Sequence, residues 1–282
     1  MAALPKFDVL AFGSHPDDVE LGCGGTLASL VAAGYRVGIA DLTRGELGSR
    51  GTSEIREQEA TEAARILGIE RRVILGIPDG NIKNSKKNRL KVITELRATR
   101  PDILLIPAPD CRHPDHPAGA RLIAEAAFQS GLVMLETLDA TGAKQEPWRP
   151  PHILHYMQSI PFELTLVVDV SDFWETRNKA VRAFASQFHT GEAPVQSGDE
   201  DGNTAQNSVD NGPETFISNP AFMDWYDARA RTYGYRIGAT FGEPFLYRHG
   251  PLGTDDLVGM LKKEKPFRQE RLERGLDSIK WP

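Results

Sequence analysis

The sequence has 282 residues, of which 40% are hydrophobic and 26% are charged, and its formal net charge is −6. This composition is ordinary for a globular protein, and the length suits one large domain, so we expect a single domain over residues 1–282. The acidic balance argues against nucleic acid or an anionic membrane as the main partner, and no apolar run reaches the length of a transmembrane helix. With two cysteines and no leader pattern, we expect no disulfide framework and a cytoplasmic location.

The first chemically distinctive stretch follows an apolar run at residues 7–11, which is typical of a buried strand. Residues 15–18 read His-Pro-Asp-Asp, and a small-residue pattern typical of a helix follows them. His15 and Asp18 are three residues apart, so a turn can bring an imidazole and a carboxylate to one point. Such a pair suits a Zn²⁺-like ion, with Asp17 as a spare carboxylate. Alternatively, the carboxylates only cap the helix.

Strand and helix patterns alternate through the next part of the chain. Strands are predicted at residues 36–43 and 73–75, and helices at residues 54–67 and 86–99. Thr52 or Ser53 can cap the first of these helices, and Gly68 can end it. The intervening loops carry Glu46 and a Pro-Asp-Gly turn that contains Asp79.

A second motif repeats the layout of the first. Residues 103–106 are strand-like, residues 113–116 read His-Pro-Asp-His, and a helix is predicted at residues 118–128. Strands that alternate with helices in this way predict βαβ units and a parallel sheet. The expected fold class is therefore α/β, a Rossmann-like three-layer sandwich with a mostly parallel sheet. The metal site should lie at the C-terminal ends of the strands, where such sheets place ligands.

Read together, the two motifs predict a catalytic metal site. Three protein ligands leave one position open, where a water can ionise near neutral pH. His15, Asp18 and one of His113 or His116 can supply those ligands, and the residue pattern alone does not choose between the two histidines.

The two His-Pro-Asp motifs resemble those of the LmbE-like (PIG-L) family of zinc-dependent N-acetylglucosamine deacetylases. Further segments resemble the same family at residues 43–46, 56–60 and 78–80. Segments that resemble its bacillithiol-biosynthesis branch, which deacetylates N-acetylglucosaminyl malate, are residues 185–188, 214–218 and 228–231. The resemblance implies hydrolysis of the N-acetyl group of N-acetyl-α-D-glucosaminyl L-malate, which releases acetate and the free amine. A general N-acetyl-sugar deacetylase of the chito-oligosaccharide type is the alternative.

The resemblance also implies a role for each motif residue. It places the metal, Zn²⁺ or alternatively Fe²⁺, on His15, Asp18 and His116. It makes Asp17 the general base that takes a proton from water. It assigns His113, held by Asp115, to the oxyanion and the leaving group.

The resemblance further implies that the amino-sugar substrate contacts Arg56, Glu46 and Asp79, and that the protein is a homo-oligomer. Alternatively, Arg56 lies on a helix surface, Glu46 is an ordinary loop residue and Asp79 forms a turn. The sequence departs from the family at Phe184 and Phe188, where a Tyr or His that helps the oxyanion is common. Either His113 and the metal fulfil that role alone, or His189 or a later tyrosine supplies it.

The second half of the sequence is less regular. A loop is predicted at residues 136–151, strands at 152–158 and 164–170, and helices at 173–188, 221–234 and 254–263, before a charged tail at 264–280. Asp172 is the expected cap of the first of these helices. Residues 196–213 are rich in polar and acidic side chains and predict a flexible insertion, either passive or a lid. Each of the two cysteines, Cys23 and Cys111, is interpreted as a small buried residue, with metal ligation as the alternative.

Two other function classes remain open at this level. Asp and His clusters after parallel strands also build two-metal phosphoesterase sites, although such a site needs more bridging carboxylates than the sequence offers. The glycines at 22, 24 and 25 could belong to a nucleotide-binding turn, but their spacing does not match G-x-G-x-x-G.

Overall fold

A seven-stranded sheet organises the protein in a computed structural model that describes residues 4–188, 213 and 215–250. The strands are β1 (Val9–Gly13), β2 (Val37–Asp41), β3 (Arg71–Ile74), β4 (Ile103–Ile106), β5 (His152–Tyr156), β6 (Leu166–Asp169) and β7 (Gly242–Tyr247). Their order in the sheet is β3-β2-β1-β4-β5-β7-β6. The first five are parallel, and β7 is antiparallel to both of its neighbours. The predicted α/β class with a mostly parallel sheet is confirmed.

Helices cover both faces of this sheet. They are α1 (Asp18–Ala32), α2 (Ser53–Leu67), α3 (Lys86–Thr99), α4 (Asp115–Gln129), α5 (Trp174–Arg182) and α6 (Phe222–Tyr235). Leu10 of β1 packs into a core built with α3 and α4, whereas its neighbour Val9 packs into a core built with α1. Every residue of β1 is buried, as expected for a strand covered on both sides. None of the helices within residues 4–188 and 215–250 has the length and apolar composition needed to cross a bilayer.

The strand order reverses between β1 and β4. The chain proceeds from β1 to β2 on one side of β1, and it later returns to place β4 on the other side. The register pairs Val9 with Ile103, so the loops after β1 and β4 leave the same edge of the sheet. Such a reversal opens a crevice at the carboxyl ends of the strands. Both His-Pro-Asp motifs lie at this crevice.

The local signals for the ends of helices are mostly confirmed. Thr52 Oγ1 accepts a hydrogen bond from Ile55 N at 3.3 Å, which caps α2. Gly68 ends α2 with φ 72°, a conformation that glycine adopts without steric cost. The helix predicted at residues 86–99 matches α3 at both ends.

Two helix predictions need correction. Helix α4 begins at Asp115 rather than at residue 118, so His116 lies in its first turn. Asp172 does not cap a helix: a 3₁₀ turn spans Ser171–Phe173, α5 follows it, and neither has a side-chain cap. Asp169 instead accepts hydrogen bonds from the backbone N–H and the hydroxyl of Ser171. Helix α5 ends at Arg182 rather than at residue 188. The predictions that lie outside the described residues concern His189, residues 196–212, residue 214 of the branch-like segment, residues 254–263 and residues 264–280.

Candidate active site

A cleft of about 530 Å³ lies at the carboxyl edge of the sheet, beside the loops that follow β1, β3 and β4. Its volume falls within the range of about 300–1,000 Å³ that is usual for small-molecule sites. Seven of the nine predicted site residues line it, namely His15, Asp17, Asp18, Arg56, Asp79, His113 and His116. Glu46 and Asp115 do not line the cleft. Beside it, Glu46 accepts a hydrogen bond from the backbone N–H of Asp79, and Asp115 accepts one from the backbone N–H of Gly80.

Three imidazoles and one carboxylate converge on the floor of this cleft. One ring nitrogen from each of His15, His113 and His116 lies within 4.8 Å of the others. Asp18 stands between two of these rings, with Oδ2 at 3.5 Å from His15 Nδ1 and Oδ1 at 3.1 Å from His116 Nε2. Neutral imidazoles and a carboxylate are suitable donors for a divalent ion such as zinc, so these residues fit a metal site.

Asp18 is held rigidly as an ionised acceptor. Its Oδ2 accepts hydrogen bonds from the backbone N–H groups of Ser14 and His15, and its Oδ1 accepts one from Gln158 Nε2 at 2.9 Å. Burial alone would raise the pKa of Asp18, but the charges and hydrogen bonds of His116 and His15 hold that pKa well below its usual value. No sequence motif marks Gln158, although its position just after β5 places it at the same edge of the sheet.

Asp79 contacts the outer nitrogen of His15. Its Oδ1 lies 3.0 Å from His15 Nε2, and it accepts further hydrogen bonds from the N–H groups of Leu47 and Gly80. Burial would lower the pKa of His15, but bonds to Asp115, Asp18 and Asp79 raise it well above its usual value. The contact of Asp79 with the substrate stays a prediction: its carboxylate lines the cleft and also contacts an imidazole and two loops.

His113 and His116 lie stacked, with ring centroids 5.1 Å apart. Asp115 holds His113, as expected, but it does so through its backbone and not through its carboxylate. The Asp115 N–H donates a hydrogen bond to His113 Nδ1 at 3.3 Å. The Asp115 carboxylate instead accepts a hydrogen bond from Gly80 N. Burial and the charges of His15 and His116 lower the pKa of His113, which favours its neutral form. Because Nδ1 is an acceptor, the ring proton is on Nε2, which can donate a hydrogen bond.

His116 has a thiol behind it. Cys111 Sγ lies 3.0 Å from His116 Nδ1, so Cys111 is not merely a small buried residue as expected. Burial would lower the pKa of His116, but the Asp18 charge and the contact with Cys111 raise it to about 9. Cys23, in contrast, is fully buried in the core, as expected.

Asp17 and Arg56 form a buried ion pair at the side of the cleft. Arg56 Nη2 donates to Asp17 Oδ2 at 3.2 Å and to Pro16 O at 2.6 Å, and Nη1 donates to Gly45 O. Arg56 is therefore not on a helix surface. Burial raises the pKa of Asp17 to about 7, against the opposing charge of Arg56. Asp17 also has φ 115°, which is rare for a non-glycine residue and is often found at functional positions.

The rim of the cleft contains aromatic and polar groups, and one of them, Phe216, lies in the branch-like segment at residues 214–218. Phe216 and Tyr226 line it, and the Arg112 guanidinium lies 4.7 Å from the centroid of the Phe216 ring. Tyr226 is the one tyrosine of the described residues that lines the cleft. Phe184 and Phe188 instead pack in the core beneath α2 and α5. Glu46 is exposed and accepts hydrogen bonds from the N–H groups of residues 44 and 79, which braces the loops.

Comparison with known proteins identifies relatives across most of this architecture. A family model described as GlcNAc-PI de-N-acetylase (PIG-L) matches residues 10–127. The diacetylchitobiose deacetylase of Thermococcus kodakarensis is 31% identical over 194 residues, which cover 64% of this chain and 70% of the relative. The crystal structure of a conserved protein from Thermus thermophilus has a TM-score of 0.72 and 35% identity, covering 88% of this chain and 98% of that one. The structure of the N,N′-diacetylchitobiose deacetylase from Pyrococcus horikoshii has a TM-score of 0.67 and 24% identity. The match covers 93% of this chain and 88% of that one, and it supports the fold.

Proposed function

The chain belongs to the PIG-L (LmbE-like) deacetylase family, and from that premise we propose that it hydrolyses the N-acetyl group of an N-acetylglucosamine unit in a metal-dependent reaction. The proposal rests on the position of Asp18 between His15 and His116, on the floor of a cleft that Asp17 and His113 also line. The relative from Thermococcus kodakarensis, a diacetylchitobiose deacetylase, supports an N-acetylated amino sugar as the substrate class.

We assign the metal to His15, Asp18 and His116, with zinc as the first candidate and Fe²⁺ as the second. A divalent ion bound there would polarise the acetamide carbonyl and make a nearby water easier to deprotonate. Asp17 takes the proton of that water, since its buried carboxylate has a pKa raised to about 7, which suits a general base at neutral pH. Arg56 fixes the Asp17 carboxylate in place through the hydrogen bond between them.

His113 acts on the other side of the scissile amide. Its Nδ1 accepts the Asp115 N–H, which leaves the Nε2–H to donate a hydrogen bond to the oxyanion. The departing nitrogen, on the same side as His113, receives the proton that Asp17 took from the water. The lowered pKa of His113 keeps the ring a neutral donor rather than an imidazolium. Hydrolysis then consumes one water and yields acetate and the free amine.

Two classes of aglycone are compatible with the rim of the cleft. The rings of Phe216 and Tyr226 offer apolar faces on which a second sugar can stack, as a chito-oligosaccharide would require. Arg112 is exposed beside Phe216, and a guanidinium suits a carboxylate such as that of malate. We place the chito-oligosaccharide first because the relative from Thermococcus kodakarensis is a diacetylchitobiose deacetylase.

The test is an acetate- and amine-release assay on the zinc-loaded protein. The panel comprises N,N′-diacetylchitobiose, N-acetylglucosaminyl malate, N-acetylglucosaminyl inositol and free N-acetylglucosamine, with an aryl phosphate as the counter-screen for a phosphoesterase. We expect equal amounts of acetate and amine from the chitobiose. Arg112→Gln should slow cleavage of the malate glycoside more than that of the neutral disaccharide. No acetate from any sugar, or turnover of the phosphate alone, would overturn the proposal.

A further inference from the structure

The imidazole of His116 is contacted by a thiol on the side away from Asp18. Cys111 Sγ lies 3.0 Å from His116 Nδ1 and 2.9 Å from Ser159 Oγ. Ser159 Oγ in turn accepts a hydrogen bond from the backbone N–H of Arg112 at 3.0 Å. The sulfur is therefore fixed from a second side, because a serine anchored to the backbone holds it against the imidazole.

The two histidines of the assigned metal set differ in what stands behind them. His15 Nε2 faces the carboxylate of Asp79 at 3.0 Å, whereas His116 Nδ1 faces the sulfur of Cys111. An imidazole that binds a metal through one nitrogen usually donates the N–H of its other nitrogen to an acceptor, which fixes the tautomer and the ring orientation. A sulfur and a carboxylate oxygen thus occupy corresponding positions beside the two rings, each 3.0 Å from a ring nitrogen.

We propose that Cys111 is a positioning residue, which accepts the Nδ1–H of His116 and so aims Nε2 of that ring at Asp18 and the cleft. This inference rests on the proposed metal-dependent function. The ring already has the required direction, since His116 Nε2 lies 3.1 Å from Asp18 Oδ1. The sulfur, the ring and the Asp18 carboxylate thus form one connected series of contacts, which leaves Nε2 as the nitrogen that faces the assigned ligand carboxylate.

The position of Cys111 in the chain strengthens the case for this role. It lies with His113 in the loop that joins β4 to α4, five residues before His116 in the first turn of α4. Its contact with Ser159 ties that loop to the segment after β5, which also carries Gln158, the residue that holds Asp18. One segment thereby supports two of the assigned metal ligands, directly for Asp18 and through Cys111 for His116.

The experiment measures metal affinity rather than turnover. The dissociation constants of Zn²⁺ and Co²⁺ are determined by competition with a chromogenic chelator for the wild type, Cys111→Ala and Cys111→Asp. Cys111→Ala should weaken zinc binding about 10- to 100-fold and alter the visible absorption of the cobalt-loaded protein. Cys111→Asp, which restores an acceptor, should recover most of the affinity. Cys23→Ala is the matched control, because it removes a thiol that is buried in the core, and it should bind zinc like the wild type.

Each outcome decides between positioning and simple packing. Unchanged zinc affinity and an unchanged cobalt spectrum in Cys111→Ala would overturn the inference, and so would equal losses in Cys111→Ala and Cys111→Asp. If Cys111→Ala does not fold, alkylation of Cys111 in the folded wild type replaces it, and full modification without loss of zinc affinity would count against the proposal. A wild type that binds no divalent ion would instead refute the proposed function, which keeps the two failures apart.

Discussion

Asp79 Oδ1 lies 3.0 Å from His15 Nε2, so a carboxylate from the loop after β3 supports an imidazole from the loop after β1. The same carboxylate is fixed by the N–H groups of Leu47 and Gly80. Asp79 therefore joins three loops at the edge of the cleft, and its effect on activity should pass through His15.

Asp79→Asn should weaken zinc binding by about tenfold, because an amide cannot replace the charged acceptor behind His15. The measurement is the chelator-competition dissociation constant of the purified variant. Asp110→Asn, which removes an exposed carboxylate from the loop after β4, is the control and should retain the affinity of the wild type. A direct sugar contact would predict the opposite pattern, with normal metal affinity and a raised KM.

The two histidines of the second motif should separate metal binding from chemistry. His116→Ala should lose the metal, because its Nε2 faces Asp18, whereas His113→Ala should retain the metal and lose turnover. Metal content by elemental analysis, together with acetate release, distinguishes these results. An empty site in His113→Ala alongside a filled one in His116→Ala would reverse the assignment.

Asp17→Asn should bind metal normally and lose roughly 10²-fold or more in kcat, the scale of a general base. Asparagine tolerates the positive φ of this position, so the fold should survive the change. Circular dichroism and metal content serve as controls for structure. Near-normal kcat in a fully loaded Asp17→Asn would remove this carboxylate from the mechanism.

Arg56→Lys should lower kcat more than it raises KM, because Arg56 donates to Asp17, Pro16 and Gly45 rather than standing free in the cleft. A lysine keeps the charge but cannot make the forked contacts of a guanidinium. Steady-state kinetics on diacetylchitobiose provide the measurement. An effect confined to KM would show that Arg56 binds the sugar, as the family resemblance implies.

The buried His155 should make stability depend on pH. Its Nδ1 donates to Pro107 O at 2.7 Å, and burial lowers its pKa, helped by the charge of Arg248. The folded state then binds a proton less readily than the unfolded state, so the free energy of unfolding should fall as pH drops through the unfolded value of about 6.5.

Urea denaturation at a neutral and a mildly acidic pH tests this dependence. His155→Asn retains a donor for Pro107 O and cannot titrate, so it should show a smaller loss of stability on acidification than the wild type. His152→Asn changes an exposed histidine at the start of the same strand and is the matched control. Equal pH dependence in the wild type and His155→Asn would rule out a contribution from this residue.

The sequence predicted the sheet and the motif loops because their signals are local. Apolar runs mark β1 and β4, and Thr52 and Gly68 mark the ends of α2 through hydrogen bonds and φ angles that depend on near neighbours. The antiparallel placement of β7 was not predictable in this way, since it depends on pairing with β5 and β6 rather than on its own composition.

The site was predictable as a set of residues but not as a set of contacts. Two His-Pro-Asp motifs after two strands were enough to place His15 and His116 at one edge. The partners behind those rings, Asp79 and Cys111, come from other positions in the loops, and no spacing rule relates them to the histidines. Asp172 illustrates the converse: its residue type favours a cap, but the hydrogen bonds between Asp169 and Ser171 shape that turn instead.

The pairing of β1 with β4 also determines when the cleft can exist during folding. These strands are neighbours in the sheet although α1, β2, α2, β3 and α3 lie between them in the chain. Closing so long a loop costs entropy before any contact compensates for it, which makes such a pairing slow to form. A nascent chain that has not yet produced β4 holds only His15 and Asp18, two of the three assigned ligands. Separation of β1 from β4 would draw His15 away from His116, so the donor set depends on this one strand pair.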